Sequence, residues 1–150
     1  MSAEGKLTKQ VSVFLENKSG RLADVCRTLG EHGINIRALC IADTSDFGIL
    51  RLIVNRPDDA TTILRDAGFS VGETNVIAVQ IPDVPGGLGM ALALLEGAGV
   101  NVEYMYAFFT RIEGNAVVLF RVADDSTDKT VEVLEAAGCS TVSAEDVYAL

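Results

Sequence analysis

The chain has 150 residues, of which 49% are hydrophobic, so it is long enough to bury one substantial core or two very small ones. Twelve basic side chains stand against 21 acidic ones, and the formal net charge of −9 repels phosphate backbones and anionic lipid headgroups unless basic residues cluster. The arginines are spread singly along the chain, which excludes nucleic acids and membrane surfaces from the expected partners.

The first half of the chain alternates between the hydrophobic spacing of strands and that of helices. Val11–Leu15 is a short apolar run, typical of a strand, and it is followed by the turn-rich segment Asn17–Gly20. Apolar residues then recur from Leu22 at positions i, i+3, i+4 and i+7, which places them on one helical face. Ser19 is the predicted N-cap of this helix, and His32 is its predicted end.

A hairpin and a second helix complete the first half. Ile34–Ala42 and Ile49–Val54 are apolar segments joined by a polar connection that contains glycine, which is typical of a hairpin. After Pro57 the apolar residues again have helical spacing, and Gly68 is the predicted stop. Extended sequence follows up to Ile81. The resulting order, β-α-β-β-α-β, is the split βαβ or ferredoxin-like arrangement.

The second half of the chain repeats the first. Val13–Leu22 aligns with Val79–Leu88 at a shift of 66 residues, and Gly33–Ile36 aligns with Gly99–Val102 at the same shift. Because a duplicated unit implies a duplicated fold, we predict an α+β protein of two ferredoxin-like βαββαβ modules in tandem. Each module is expected to be an antiparallel sheet with its helices on one face.

The module boundaries follow from the same alignment. The modules are predicted to comprise residues 1–75 and residues 76–150, with no disordered linker between them. The strand around residues 76–81 is open to two interpretations, since it either begins the second module alone or serves both modules as one long strand. The chain is expected to end in a strand at Asp146–Leu150, the counterpart of Asn75–Val79.

The turn before the first helix of each module resembles the ACT domain family. That family has an Asn or Asp, one residue, a Pro and then a Gly before an apolar helix position. Asn17–Leu22 has this pattern with Ser in place of Pro, and Asp83–Leu88 has it complete. The resemblance includes the Gly-apolar-Asn-apolar entry to the second strand, at Gly33–Ile36 and Gly99–Val102, and it covers nearly the whole chain twice.

The resemblance implies a regulatory protein whose modules bind amino acids or similar metabolites where two modules pack together. Glycine lets the backbone approach a ligand closely, and the free N–H groups at the start of the following helix attract a carboxylate. A neighbouring Asn or Asp accepts a hydrogen bond from an ammonium group. The candidate ligand-binding residues are Asn17, Ser19, Gly20, Arg21, Leu22, Asn35 and Ile36 in the first module and Asp83, Pro85, Gly86, Gly87, Leu88, Asn101 and Val102 in the second.

Each of these features also has a purely structural interpretation. A glycine-rich turn before a helix is often only a tight turn. Asn35 and Asn101 alternatively shape the turn out of the helix, because Asn tolerates left-handed backbone geometry. The candidate residues therefore need the three-dimensional structure to separate binding from folding.

One strand of the second module is predicted to carry an aromatic face. Tyr104, Tyr106 and Phe108 alternate along it, whereas the equivalent positions of the first module, from Ala38 to Ala42, hold small residues. One interpretation is that the aromatic face fills space in the core or between the modules. The other is that the bulky and small faces together shape a pocket for a ligand side chain.

The sequence contains no catalytic or cofactor-binding constellation. His32 is the only histidine, so no Ser-His-Asp or Cys-His pairing can be nominated, and it is predicted to be capping or solvated. Asp124–Asp128 lacks the spacing of a calcium loop and is explained as favourable charge before a helix. Gly86–Gly89 lacks the third glycine of a dinucleotide-binding fingerprint. We therefore expect no enzymatic activity, no cofactor and no metal.

The sequence predicts a cytoplasmic protein. No apolar stretch reaches the roughly 18 residues that span a bilayer, and Met1–Lys6 lacks the apolar region of a signal peptide. Cys26, Cys40 and Cys139 are odd in number and far apart, so we interpret them as reduced core thiols rather than disulfides.

The main functional hypothesis is a non-catalytic sensor that binds an amino acid and modulates a partner enzyme. The alternative is a regulatory or interaction subunit of an enzyme of amino-acid metabolism, with vestigial ligand loops. Exposed sheet edges and the family's habit of pairing modules side by side predict a homodimer.

Overall fold

The computed structural model describes residues 5–43 and 46–150, and these divide into two compact units. The first unit comprises residues 9–74, and the second comprises residues 75–148 together with the N-terminal residues up to Thr8. The division falls inside one long strand, next to the expected boundary. The module bounds 1–75 and 76–150 themselves stay a prediction.

The first unit has the predicted β-α-β-β-α-β order. Its elements are β1 (Leu7–Glu16), α1 (Arg21–Glu31), β2 (Ile36–Asp43), β3 (Phe47–Val54), α2 (Pro57–Asp66) and β4 (Ser70–Pro82). The sheet has the strand order β2-β3-β1-β4, with β3 antiparallel to both β1 and β2. Both β1 and β4 cross the division, since the first two residues of β1 and the end of β4, from residue 75, belong to the second unit.

One face of the first unit's sheet packs on both helices. Alternate residues of β1 and β3 point to the same side of a sheet, and here those alternate residues are the apolar ones that meet the helices. The helices therefore lie on one face, as predicted. The buried cluster contains Val11, Val13 and Leu15 of β1, Val25 and Leu29 of α1, Leu50, Leu52 and Val54 of β3, and Ala60 and Leu64 of α2.

The helix boundaries of the first unit follow local signals that the sequence displays. Pro57 begins α2, where its missing N–H costs nothing, and Asp58 and Asp59 lie in the first turn at the positive end of the helix dipole. The helix stops before Gly68, whose φ of 93° is left-handed. His32 is the C-cap of α1, as predicted.

The second unit repeats this arrangement. Its elements are α3 (Gly87–Gly97), β5 (Tyr104–Ile112), β6 (Asn115–Arg121), α4 (Thr127–Ala136), β7 (Thr141–Val142) and α5 (Ala144–Tyr148). The sheet has the order β5-β6-β4, with the short β7 pairing with β4, and these pairings are antiparallel. A 3-10 turn, Asp124–Ser126, precedes α4.

The core of the second unit is built in the same way. Alternate strand residues and one stripe of each helix form a single buried cluster. The cluster contains Ile77, Val79 and Ile81 of β4, Ala91 and Leu95 of α3, Val118 and Phe120 of β6, and Val131 and Leu134 of α4. The predicted repeat is therefore confirmed at the level of packing.

Two hydrogen bonds join the N-terminal residues of the second unit to α4 and β7. The Lys6 ammonium donates a hydrogen bond to the Glu135 carboxylate, and the Thr141 hydroxyl donates to the same oxygen. Both bonds favour the ionised carboxylate and hold the pKa of Glu135 below its ordinary value.

The predicted C-terminal strand at Asp146–Leu150 is wrong. The last strand is the two-residue β7, where Val142 lies opposite Ala78, and the short helix α5 follows it. The Ser143 hydroxyl accepts a hydrogen bond from the Asp146 N–H, and two acidic residues lie in the first turn. A cap and favourable charge at the helix dipole therefore outweigh the strand-like alternation of this segment.

The strand β4 at the junction runs without interruption for 13 residues, and whether it serves both modules stays a prediction. None of the helices in residues 5–43 and 46–150 combines the length and apolar character that crossing a membrane requires.

Candidate functional site

Each first helix of the two modules begins at a left-handed glycine. Gly20 has a φ of 89° and Gly86 a φ of 84°, and each is the N-cap of the helix that follows. A Cβ at either position would meet no atom within 4 Å, so conformation and not space requires glycine. Ser19 was the predicted N-cap, and this is wrong, because the chain turns one residue later at Gly20.

The two helix starts have no side-chain cap, and only their first amides, those of Arg21 and Gly87, donate to preceding carbonyls, of Lys18 and Val84. The first turn of an α-helix has no intrahelical partners for its N–H groups, and among the described residues no side chain caps α1 or α3. The first helical hydrogen bonds run from Asp24 N–H to the Gly20 carbonyl and from Met90 N–H to the Gly86 carbonyl. The positive end of each helix dipole thus faces the glycine bend, a setting that attracts carboxylates.

A cavity of 430 Å³ lies beside the bend of the first module. It is lined by residues of the β1–α1 loop and of the β2–β3 hairpin, namely Glu16, Asn17, Lys18, Asp46 and Phe47. The Asn17 N–H donates to the Asp46 carbonyl over 2.8 Å, which ties the loop to the hairpin. Phe47 leaves 63% of its surface exposed. Such a volume is in the range of about 300–1,000 Å³ typical of small-molecule sites.

The cavity lining carries charges of both signs. The Lys18 ammonium lies 2.8 Å from a Glu16 carboxylate oxygen, and this hydrogen bond lowers the pKa of Glu16. Asp46 adds a second carboxylate, so two acidic side chains stand against one basic one. The lining therefore offers acceptors for an ammonium group and a donor for a carboxylate.

Arg21 is not among the lining residues, but besides the Lys18 hydrogen bond its charge also lowers the pKa of Glu16. Its central carbon lies 4.9 Å from the centre of the Phe69 ring, a cation–π distance, and Nη1 lies 3.8 Å from an Asp24 oxygen. Its Nε is buried and has no hydrogen-bond partner among the described residues. The structure thus places Arg21 at the edge of the loop and not in the lining.

The second loop is built from the same bend with different surroundings. Asp83, the counterpart of Asn17, is 2.7 Å from an Arg111 nitrogen. Gly87, the counterpart of Arg21, is buried against the preceding strand, where a Cβ would fall 2.1 Å from the Pro82 carbonyl oxygen. Leu88 is half-buried and Pro85 is exposed. The second loop therefore has no room for a side chain at the position where the first loop carries a long one.

The candidate residues at the strand entries lie at the other end of the first helix. Asn35 and Ile36 follow α1, whose 11 residues span about 16 Å from the Gly20 bend. The Asn35 N–H donates to Asn55 Oδ1 over 2.9 Å, and its carbonyl accepts from the Asn55 N–H. Within the first unit, these residues are thus not brought together with the loop.

The equivalent pair in the second unit, Asn101 and Val102, likewise follows the far end of α3. The alternative that Asn35 and Asn101 adopt left-handed geometry is wrong. The left-handed residues of these turns are Gly33 and Gly99, with φ of 71° and 74°.

The aromatic face of β5 is half-buried. Met105 packs against the buried cluster beneath the helices. Because neighbouring residues of a strand point to opposite faces, Tyr104 and Tyr106 project from the other face. The pairing of β5 with β6 shifts register after Ala107, and the regular alternation is interrupted before Phe108. The aromatic residues therefore do not fill the core beneath the helices.

The cysteines and the histidine have structural surroundings. Cys139 is buried, and burial raises the pKa of its thiol and of the half-buried Cys40 thiol, which disfavours the reactive thiolate. Cys26 is half-buried. His32 Nδ1 donates to the Thr28 carbonyl over 2.8 Å at the end of α1. Among residues 5–43 and 46–150, no group of three or more acidic, His or Cys side chains is arranged to hold a metal ion.

The sequence interpretation missed most of the cavity lining. Of its five residues only Asn17 was a candidate, whereas Glu16, Lys18, Asp46 and Phe47 were not. Glu16 and Lys18 flank Asn17 and could have been found from the sequence, because the equivalent residues of the second module, Pro82 and Val84, carry no charge. The hairpin residues could not, because only the folded chain brings the β2–β3 turn beside the β1–α1 loop.

These observations define a tandem pair of α+β modules, each with a glycine bend at an uncapped helix start. The chain belongs to the ACT domain pair family, whose model matches residues 7–150. A comparison with curated proteins found no match.

Solved structures have the same fold. The structure of protein BT0572 from Bacteroides thetaiotaomicron is 43% identical and has a TM-score of 0.88, over 97% of this chain and 98% of that one. The regulatory subunit of aspartate kinase from Thermus thermophilus is 13% identical with a TM-score of 0.66, over 89% and 95% of the two chains. The corresponding subunit from Thermus flavus is 12% identical with a TM-score of 0.61, over 87% and 92%.

Proposed function

We propose that this protein is a non-catalytic sensor that binds an amino acid and thereby regulates a partner enzyme of amino-acid metabolism. The observation that carries the proposal is the uncapped helix start behind a left-handed glycine, which occurs in both modules. Membership of the ACT domain pair family and the likeness in fold to regulatory subunits support a regulatory role.

The geometry suggests how a zwitterion is recognised at such a bend. The N–H groups of the first helical turn, at Leu22 and Ala23, are aimed at an incoming carboxylate, and Gly20 leaves space for its approach. An ammonium group then finds acceptors in the carboxylates of Glu16 and Asp46. Regulation follows when the bound form of the protein has a different affinity for its partner than the free form.

A homodimer in the cytoplasm is part of the proposal. The strand β2 is at the edge of the first unit's sheet, and its Ile41 is 49% exposed, so this edge offers backbone groups and apolar surface to a second copy. The free thiols of the described chain fit a reducing compartment. Multi-angle light scattering is expected to give twice the mass of 15.9 kDa, and a monomer would remove this part of the proposal.

Isothermal titration against the twenty amino acids tests the proposed function. We expect saturable heat with one or a few of them, and no turnover of the bound amino acid. Silence with all twenty, from protein that circular dichroism shows to be folded, would refute amino-acid sensing. If such silent protein still co-purified with an enzyme of amino-acid metabolism, the alternative of an interaction subunit with vestigial loops would be favoured.

A further inference from the structure

We infer that the exposed side of α3 is the docking surface for the partner protein, and that it takes an amphipathic helix whose apolar stripe is flanked by basic residues. This inference rests on the proposed function and adds to it the surface that meets the partner and the chemistry of the segment that is bound. It does not depend on which amino acid the protein senses.

The helix α3 lacks the polar side that a surface helix normally has. Glu96 is the one charged residue among its 11, whereas α1, the equivalent helix of the first module, has four. Yet α3 is not buried all round, because Met90 is 43% exposed and Ala93 is exposed as well. A helix that is apolar on nearly every side is normally covered on every side. The exposed side of α3 is therefore expected to be covered in a complex.

Comparison of the two modules indicates that folding does not require this apolar side. At the shift of 66 residues, the buried Ala91 and Leu95 of α3 correspond to the buried Val25 and Leu29 of α1, so the core sides of the two helices agree. The outer positions differ in kind, since those of the first module are charged or polar and those of the second are apolar. Lys18, Asp24, Arg27 and Thr28 correspond to Val84, Met90, Ala93 and Leu94. Because the same fold accepts charges at these positions, their replacement by apolar residues points to binding.

The apolar side has the form that packs against another helix. Met90 and Leu94 are four residues apart, so they lie on one of the ridges along which helices pack side by side. Val84 lies in the loop directly before the helix, where its carbonyl accepts a hydrogen bond from the Gly87 N–H over 3.0 Å. Its side chain is 61% exposed and extends the apolar surface beyond the first turn. Such a surface matches a partner helix that presents its apolar residues along one stripe.

The charge of the second unit determines which kind of helix fits. Residues 75–150 carry 11 acidic and three basic side chains, whereas residues 9–74 carry nine and eight. The helix α4 packs on the same buried cluster as α3, and its Asp128 and Glu132 are exposed, as is Glu96 on α3 itself. The surroundings of the apolar side are therefore negative. They attract a helix with basic flanks and repel a second copy of this chain, which carries the same excess of acids.

Two synthetic peptides give the first test. Each has about 18 residues, enough to form a helix in water, and carries leucines along one stripe. One peptide has lysines beside the stripe and the other has glutamates. In fluorescence anisotropy with the wild-type protein, we expect the lysine peptide to bind one to one and at least about tenfold more tightly than the glutamate peptide. Equal affinities, or no binding of the lysine peptide, would overturn the inference.

Matched substitutions in the two helices give the second test. Ala93→Glu in α3 and Ala23→Glu in α1 both replace an exposed alanine and make the same change of charge. We expect Ala93→Glu to weaken binding of the lysine peptide about tenfold or more, because the new carboxylate loses water beneath the peptide. Ala23→Glu should bind as the wild type does. If the peptide is held by negative charge alone, both variants will instead bind it at least as tightly as the wild type, and the inference is overturned.

A neutral variant and a mass measurement complete the design. Met90→Gln keeps the length of the side chain and adds no charge, and with its fold checked by circular dichroism it is expected to bind the lysine peptide about threefold more weakly. Unchanged affinity would contradict the role of the Met90 ridge. Sedimentation velocity is expected to give wild type and Ala93→Glu the same mass, whereas a smaller mass for the variant would mean that a second copy covers α3 and would overturn the inference. Titration with amino acids tests the proposed function separately, so the two failures are distinguishable.

Discussion

The close approach of Gly87 to the preceding strand makes the sharpest stability prediction. A Cβ built on Gly87 lies 2.1 Å from the Pro82 carbonyl oxygen and 3.2 Å from its carbonyl carbon. Because real Cβ atoms essentially never come closer than 3.0 Å, the Gly87→Ala variant must move one of two backbone segments by about 0.9 Å. Neither segment is the flexible end of a side chain, so the movement displaces the start of α3 from the core.

The cost of this displacement can be estimated from the contacts at stake. Overpacking of a buried site costs about 1–3 kcal/mol. The Gly87 N–H donates to the Val84 carbonyl over 3.0 Å, and losing this hydrogen bond adds about 1 kcal/mol. We therefore expect Gly87→Ala to lower the free energy of unfolding by about 2–4 kcal/mol.

Gly89 in the same helix is the matched control. A Cβ there would meet no atom within 4 Å, and its φ is not left-handed. Gly89→Ala is therefore expected to raise the free energy of unfolding by about 0.5–1 kcal/mol, because alanine has less freedom to lose on folding. Urea unfolding followed by circular dichroism, with midpoints compared at equal m, measures both variants. If the two variants unfold within about 0.5 kcal/mol of each other, the argument from the Pro82 carbonyl is wrong.

Three further predictions concern other parts of the structure. Glu135→Gln is expected to lower the free energy of unfolding by about 1 kcal/mol at neutral pH, because the ion pair with Lys6 is lost. The pKa of Glu135 in the folded protein lies below the ordinary 4.5, so the difference between variant and wild type is complete above pH 4.5 and vanishes as the pH falls through the folded-state pKa. Unfolding curves at several pH values will check this. Leu29→Ala is expected to cost about 2–5 kcal/mol because Leu29 is fully buried, whereas Leu22→Ala, at a residue 40% exposed, should cost far less; equal midpoints in thermal unfolding would contradict this. Gly20→Ala is expected to cost about 1–2 kcal/mol because of its left-handed φ, and Gly20→Asn should cost less; a neutral alanine variant in urea unfolding would exclude strain at the bend.

Local patterns determined most of the secondary structure. The helices α1 and α2 begin and end within a few residues of their predicted bounds, because proline, acidic residues and glycine act on backbone groups only a few positions away. The one wrong element, the expected strand at Asp146–Leu150, failed for the same reason. Its apolar alternation suits a strand, yet a local serine cap and two acids favour the helix α5.

The sequence by itself determined the repeat, the order of elements as far as α4, the face of each helix that is buried and the two glycine bends, since these depend on spacing along the chain. It did not determine which polar groups share a cavity, because Glu16 and Phe47 are separated by 30 residues and meet only when β1 and β3 pair in their particular register. Nor did it reveal the close approach at Gly87, because an interatomic distance of 2.1 Å does not follow from a pattern of residue types. Packing therefore decides which of two similar stretches of sequence has room for a side chain beside the preceding strand.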